Sequence, residues 1–128
     1  MLLTKSVSSP SEPADGLRIL ATRFRGRGLS TDRYDVWMPS LGPSERLLRQ
    51  VLIGELAWPK FLKAYRQELF SDSRVDARNR TIKNHGQKFT LRLIRRLAEE
   101  QNVTIMCHCA EDTTQCHRHE LKRLIAAV

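Results

Sequence analysis

The chain has 128 residues, a length that suits one domain, with 41% hydrophobic residues and a formal net charge of +8. It contains no apolar run long enough for a membrane-spanning helix, and its first residues are too short an apolar stretch for a signal peptide. Its three cysteines lie within ten residues of one another, which excludes a disulfide scaffold spread along the chain. We therefore expect a cytoplasmic protein that does not enter a membrane.

The first half of the chain predicts strands at the start and helices later. Leu2-Leu3 predicts a short edge strand, and residues 8–15 predict a flexible loop of serines and prolines. Residues 17–24 alternate in a way that predicts a strand covered on both faces. Residues 34–38 are short and aromatic, typical of either a strand end or a helical turn.

Two amphipathic helices are predicted next. Ser44 is the expected N-cap of the first helix, whose apolar stripe is Leu47, Leu48, Val51 and Leu52. The second opens at Trp58-Pro59 and buries Trp58, Phe61, Leu62, Tyr65 and Leu69. Residues 71–86 predict a loop with a helical turn.

The last third of the chain predicts a helix, a buried strand and a final helix. The first helix has the apolar face Phe89, Leu93, Ile94 and Leu97. Residues 103–107 are β-branched and nearly all apolar, and Leu121, Leu124, Ile125 and Val128 mark the last helix. We predict a single α/β domain over residues 1–128: a small three-layer sandwich with a short, mostly parallel Rossmann-like sheet flanked by helices.

Right-handed crossovers bring the carboxyl ends of parallel strands to one edge of a sheet, where ligands bind in open α/β folds. The segments that follow the two clearest strands are Arg23–Arg27 and Cys107–Arg118. If the strands are neighbours, these segments share one cleft. We therefore place the candidate site there.

The cysteine segment contains the residue types that carry out thiol chemistry or bind ligands. Cys107 and Cys109 face the same side if the strand continues through them. Cys116, His117 and Arg118 are expected in the first turn of the last helix, where free N–H groups and the helix dipole attract an anion. A thiol in that position, beside an imidazole and a guanidinium, is expected to have a depressed pKa at Cys116 and to be a better nucleophile.

Several interpretations of this segment remain open. Zinc needs four ligands, and Cys107, Cys109, Cys116 and His117 supply that number, but their spacing is uncommon for structural zinc, so no cofactor is predicted. The four are also the candidate catalytic residues, with a reversible Cys109–Cys116 pairing or a reactive thiol as the chemistry. The remaining readings are an anion pocket without covalent chemistry and plain packing of small buried hydrophobes.

Arginines are the candidate anion-binding residues. Arg23, Arg25 and Arg27 surround two glycines directly after the first long strand, and Arg118 completes the predicted set. Asp35 is expected to pair with one of the three loop arginines, and Ser44 is a supporting residue. A separate basic stretch, Arg74–Arg96, has eight Lys or Arg against one aspartate, which indicates a nucleic-acid-binding surface as a further alternative.

Taken together, several strings in the chain resemble the bacterial YeaO-like family, known as domain of unknown function 488. They are Arg27-Gly28-Leu29-Ser30, Tyr34-Asp35-x-Trp37, Trp58-x-x-Phe61-x-x-x-Tyr65-x-x-Glu68-Leu69, Val103–Cys107 and Cys116-His117-Arg118. The resemblance covers about Gly16 to Leu124. It implies a compact cytosolic α/β domain with a polar pocket at Cys107, Cys116, His117, Arg118, Arg23 and Arg27, and no established reaction. Arg25-Gly26 stands where many members have Trp-Pro.

These observations lead to a ranked set of functional hypotheses. The first is a pocket at the carboxyl edge of the sheet that binds a small phosphate-bearing anion, or a nucleic-acid phosphate. The second is a thiol-dependent enzyme or redox protein that uses Cys116 or Cys107 with His117. The third is nucleic-acid binding through Arg74–Arg96. The sequence predicts no particular oligomeric state.

Overall fold

The computed structural model describes residues 1–72 and 85–128. Within them, four strands form one sheet in the order β1-β4-β2-β3, and every neighbouring pair is parallel. The strands are β1 (Leu2–Ser6), β2 (Leu17–Leu20), β3 (Val36–Trp37) and β4 (Val103–Cys107). The helices are α1 (Glu45–Leu52), α2 (Trp58–Phe70), α3 (Lys88–Glu100) and α4 (His117–Ala127).

Strand β4 lies inside the sheet and is buried along its whole length. Its side chains alternate between the two faces, so Val103 and Ile105 join a large cluster with buried residues of all four helices. Met106 points the other way, into a smaller cluster with Leu20 and Val7. The predicted α/β sandwich with a parallel sheet is therefore confirmed. Strands that are apolar on both faces favour this arrangement, since both faces of the sheet must be covered.

Local signals positioned α1 and α2 as expected. The Ser44 hydroxyl accepts a hydrogen bond from the Leu47 N–H at 3.2 Å, which confirms the predicted N-cap. In α2, the rings of Trp58, Phe61 and Tyr65 stack in sequence, with centroid distances of 4.8 and 6.0 Å. Their stack confirms that the aromatic stripe packs in the core.

The predicted buried face of α3 is wrong in part. Phe89 and Leu93 are 54% and 61% exposed, whereas Leu91 and Ile94 are buried. The apolar residues of α3 form two overlapping stripes on neighbouring sides of the helix. The stripe that contains Leu91 and Ile94 is the one that is buried, because α3 packs against α4 and β4. The predicted loop at 71–86 and the first half of the basic stretch, Arg74 to Lys83, lie largely outside the described residues.

Strand β2 is shorter than the predicted strand at 17–24, because the chain leaves the sheet after Leu20 and turns into the site. The segment at 34–38 is the short strand β3, with 3-10 turns on both sides of it. No described helix combines the length and apolar character needed to cross a bilayer. All four carboxyl ends of the strands meet at one edge, as predicted.

A buried carboxylate anchors the end of the loop at 8–15. Asp15 ends a 3-10 turn, and its side chain accepts hydrogen bonds from Lys5 Nζ at 2.8 Å and from the Glu12 N–H at 2.9 Å. Burial works against ionisation, but these two hydrogen bonds outweigh it, and the pKa of Asp15 is lowered. The flexibility of the loop stays a prediction.

We expect Asp15→Asn to lower the free energy of unfolding by about 1–3 kcal/mol at neutral pH, because the partners of the carboxylate lose its charge. The folded pKa is depressed, so the contribution is present above the unfolded value of about 3.9 and is lost as pH falls through the folded pKa. Urea titrations at about pH 7 and about pH 3 measure it.

Asp112→Asn is the matched control, since Asp112 lies in an exposed loop, and it should change stability by less than about 0.5 kcal/mol. A loss from Asp15→Asn that has the same size at both pH values would contradict the ionic contribution.

Candidate functional site

Three reduced cysteines meet at the end of β4. Cys107 is the last residue of the strand, Cys109 lies two residues later, and Cys116 is the N-cap residue of α4. All three Sγ atoms lie within 4.8 Å of one another, and those of Cys107 and Cys116 are 3.0 Å apart. The strand ends at Cys107 and does not continue to Cys109, as the predicted alternation assumed, but the two sulfurs still come together. Only Cys109 of the three is partly exposed.

Arg118 is buried directly behind this cluster, with 1% of its surface exposed. Its Nη1 donates to Cys107 Sγ at 2.9 Å and to the Cys109 carbonyl at 3.2 Å. Its Nη2 donates to the carbonyls of Ala110 and Glu111, each at 3.0 Å. The guanidinium therefore fixes the backbone of the loop that carries Cys109, and both terminal nitrogens are engaged by the protein.

The three thiols shift one another's pKa values in opposite directions. The nearby thiols of Cys107 and Cys116 lower the pKa of Cys109, and the positive charge of Arg118 acts in the same direction. The pKa of Cys116 is raised instead, by its two sulfur neighbours and by burial. The predicted depression of the Cys116 pKa is therefore wrong, because two adjacent thiols outweigh the helix N-terminus.

His117 is buried in a fixed orientation. Its Nε2 lies 2.6 Å from the Ala21 carbonyl and donates to it, which leaves Nδ1 bare and facing Cys116 Sγ at 4.0 Å. The ring also packs edge-on against Tyr65, with centroids 5.8 Å apart. Burial lowers the pKa of His117, so the imidazole is neutral at neutral pH.

The two segments that were predicted to share a cleft do so. A cavity of about 140 Å³ is lined by residues 22–24 on one side and residues 107–109 on the other. Phe24, Pro43 and Leu48 form its apolar wall, and His117 lies on it as well. Of the predicted anion-binding arginines, only Arg23 lines this cavity. Cys109 is thus a thiol at the wall of a small, partly apolar chamber.

The remaining arginines lie in different surroundings. Arg23 donates to the Gly42 carbonyl at 2.9 Å and to the Pro43 carbonyl at 3.3 Å. Arg25 donates to the hydroxyl of Tyr34 and packs over its ring. Arg27 is exposed and lines a second cavity. The four predicted anion-binding arginines therefore do not converge on one point, and their role in binding an anion stays a prediction.

The two predicted supporting residues, Asp35 and Ser44, have structural partners. Ser44 is the N-cap of α1. Asp35 forms a two-pronged ion pair with Arg18, with Nη2 to Oδ1 at 3.0 Å and Nε to Oδ2 at 3.2 Å. The expected pairing of Asp35 with Arg23, Arg25 or Arg27 is therefore wrong. The parallel pairing of β2 with β3 brings Arg18 beside Asp35, a contact that chain order does not reveal.

His108 is a site residue that the sequence interpretation missed. Its Nε2 lies 3.2 Å from the Phe24 carbonyl, and its ring covers Gly26 so closely that a Cβ there would lie 2.9 Å from Cε1. Gly26 also has a φ of 91°, so a side chain at this position meets both a clash and strain. A histidine between two cysteines at a strand end was the available signal.

The cysteine cluster is also compact enough to hold a metal ion. The three sulfur atoms are close enough to hold one, and thiolates suit zinc and other soft metals. The free ring nitrogen of His117, Nδ1, lies 4.0 Å from Cys116 Sγ, while its Nε2 donates to the Ala21 carbonyl, an arrangement that metal-bound histidines also use. Among the described residues, the compact group itself consists of the three cysteines, with His117 beside it.

The comparisons with known proteins give one match. A family model, DUF488-N3a, described as the active DUF488-N3 subclade, matches residues 2–128. No curated protein and no solved structure matches the chain. The family match covers nearly the whole chain and agrees with the resemblance drawn from the motifs. The chain therefore belongs to the DUF488 (YeaO-like) family.

Proposed function

We propose that this protein is a thiol-dependent enzyme in which Cys109 is the nucleophile. The supporting observation is the position of Cys109: it is the partly exposed member of the cysteine cluster and lines the small cavity. Cys107 and Cys116 are buried behind it, so a substrate entering the cavity meets Cys109 first. This differs from the sequence hypothesis, which favoured Cys116 or Cys107.

The surroundings favour the thiolate form of Cys109. Two neighbouring thiols and the buried guanidinium of Arg118 lower the pKa of Cys109. Arg118 holds the Cys109 carbonyl, which restricts the loop and keeps the sulfur at the cavity wall. A thiolate that is both oriented and partly shielded from water is an effective nucleophile.

The proposed reaction is displacement at an electrophilic carbon. The Cys109 sulfur forms an S–C bond, and the leaving group departs with the bonding electron pair and takes up a proton. Water then attacks the same carbon, the S–C bond breaks, and the thiolate is regenerated. His108 lines the same cavity and is accessible to solvent, so it is the side chain we assign to proton transfer between the leaving group and water.

The geometry supports this chemistry better than anion binding in the same cavity. The terminal nitrogens of Arg118 and the guanidinium of Arg23 already donate to backbone carbonyls or to sulfur. A phosphate in the 140 Å³ cavity would also meet the apolar side chains of Phe24, Pro43 and Leu48. A small, weakly charged reacting group suits these walls better.

At neutral pH, we expect iodoacetamide to modify Cys109 about tenfold faster than Cys107 or Cys116. An ordinary thiol is only a few per cent thiolate at that pH, and part of the gain from ionisation is offset by weaker intrinsic nucleophilicity. Peptide mass spectrometry after timed quenching measures the three rates in one sample. Cys109→Ser should abolish the fast phase, and Cys116→Ser should slow it without abolishing it, because Cys116 is one of the two thiols that lower the pKa of Cys109. Arg92→Gln, an exposed substitution on α3, is the control and should retain the fast phase. Slow, equal labelling of all three would refute the proposal.

Arg118→Lys should both destabilise the protein and reduce the selectivity for Cys109. A lysine cannot reach the three carbonyls and the sulfur together, and we expect a loss of about 2–4 kcal/mol. Urea titration gives the stability change, and the ratio of Cys109 to Cys107 labelling, measured on the folded fraction, gives the positioning effect.

Arg123→Lys is the control for that variant, because the Arg123 side chain is exposed on the same helix and a lysine keeps the charge that pairs with the buried Glu120 carboxylate, so it should cost less than about 0.5 kcal/mol. Unchanged labelling selectivity in folded Arg118→Lys would show that the guanidinium does not position Cys109.

A second candidate function is binding of a zinc ion by the cysteine cluster. The observation that favours it is the mutual approach of three sulfurs within 4.8 Å. Two positive charges against three thiolates leave one negative charge, which the buried Arg118 would offset.

Metal analysis of protein purified without chelators decides between the two candidates. We expect well under one zinc per chain and free reactivity at Cys109. A stoichiometric zinc that is lost in Cys109→Ser and kept in Arg92→Gln would favour the metal site and contradict the free nucleophile.

A further inference from the structure

A second, larger cavity lies next to the cysteine cavity. Its volume is about 510 Å³, within the usual range for small-molecule sites, whereas 140 Å³ is below that range. The loops after β1 and β2 form it, with polar lining from Ser8, Arg27, Ser30, Arg33 and His108. The small cavity therefore has room for a reacting group, and the large one has room for the rest of a molecule.

The larger cavity is positively charged. Arg27 has no hydrogen-bond or ion-pair partner among the residues that the structure describes. Arg33 uses Nε and Nη2 on the carbonyls of Val7 and Ser9, at 3.1 to 3.3 Å, and so is held in place at the cavity. None of the described lining residues is acidic. Two guanidiniums and two hydroxyls, without a competing carboxylate, suit a phosphate group.

His108 joins the two cavities, since it is the residue that lines both of them. The Phe24 carbonyl and the flat surface of Gly26 hold the ring in place. A ligand whose two ends lie in the two cavities would pass this imidazole. Gly26 lines the larger cavity, and the ring that covers it belongs to the residue shared by both cavities.

From these contacts we infer that the substrate has two parts: a phosphate group in the cavity of Arg27 and Arg33, and an electrophilic carbon at Cys109. The inference rests on the proposed function. It names the substrate class, a small phosphate-bearing electrophile. Of the arginines predicted to bind an anion it keeps Arg27, and it adds Arg33 in place of the others.

The first test is a titration of the whole protein with inorganic phosphate. The NMR resonances of the His108 ring monitor the binding. We expect saturable shifts of the His108 resonances, with affinity reduced about five- to tenfold in Arg27→Gln through loss of one charge-assisted contact. Arg92→Gln, which removes an exposed arginine on α3, is the control and should bind phosphate as the wild type does. Cys109→Ser should also bind normally.

The second test compares two alkylating agents, bromohydroxyacetone phosphate and its uncharged analogue bromohydroxyacetone. We expect saturable labelling of Cys109 by the phosphate reagent, inhibited by inorganic phosphate and about five- to tenfold weaker in Arg27→Gln. The uncharged reagent should label Cys109 at the same rate in both proteins. That comparison separates a phosphate contact from a general change in thiol reactivity.

The outcomes distinguish the two proposals. Fast labelling of Cys109 by the uncharged reagent without any phosphate binding would overturn the two-part substrate and leave the thiol chemistry standing. Phosphate binding at His108 with an unreactive Cys109 would overturn both the thiol chemistry and the substrate derived from it. Phosphate binding that does not accelerate labelling by the phosphate reagent would overturn the link between the two cavities.

Discussion

Arg118 carries a positive charge into the interior, and the four acceptors around its terminal nitrogens make that burial tolerable. Three of them are consecutive loop carbonyls and the fourth is the sulfur of Cys107. Burying a charge without partners costs several kcal/mol of folding free energy. The loop conformation that places the three carbonyls at the guanidinium is therefore favoured over others. Through the Cys109 carbonyl, this side chain contacts the loop that carries the partly exposed sulfur along the cavity wall.

The charge of Arg118 also affects the thiols. Three sulfurs at this separation do not all ionise, since each thiolate raises the cost of the next. The buried pair, Cys107 and Cys116, serves as neighbours that favour one thiolate at the exposed position. His117 remains neutral because burial lowers its pKa and its Nε2 is fixed on a carbonyl. The cluster thereby combines buried protonated thiols with one accessible sulfur.

The parallel sheet explains why distant segments meet here. Strand β4 lies between β1 and β2, so the loops after all three strands leave from one edge. The loop after β2 supplies the wall of the small cavity, and the loops after β1 and β2 supply the charged one. Glycine at position 26 allows the His108 ring to lie between them. The division into a small cavity beside the cysteines and a larger cavity beside Arg27 and Arg33 follows from strand order.

The sequence by itself determined the elements with strong local signals: the buried strand β4, the N-cap at Ser44, the stripe on α4 and the meeting of two strand ends. It also located the cysteine segment. The exposed face of α3, the Asp35–Arg18 pair and the place of His108 depended on packing between segments far apart in the chain. The same holds for the thiols, because a pKa is set by distances of a few ångströms to neighbouring charges, and those distances exist only once the chain has folded.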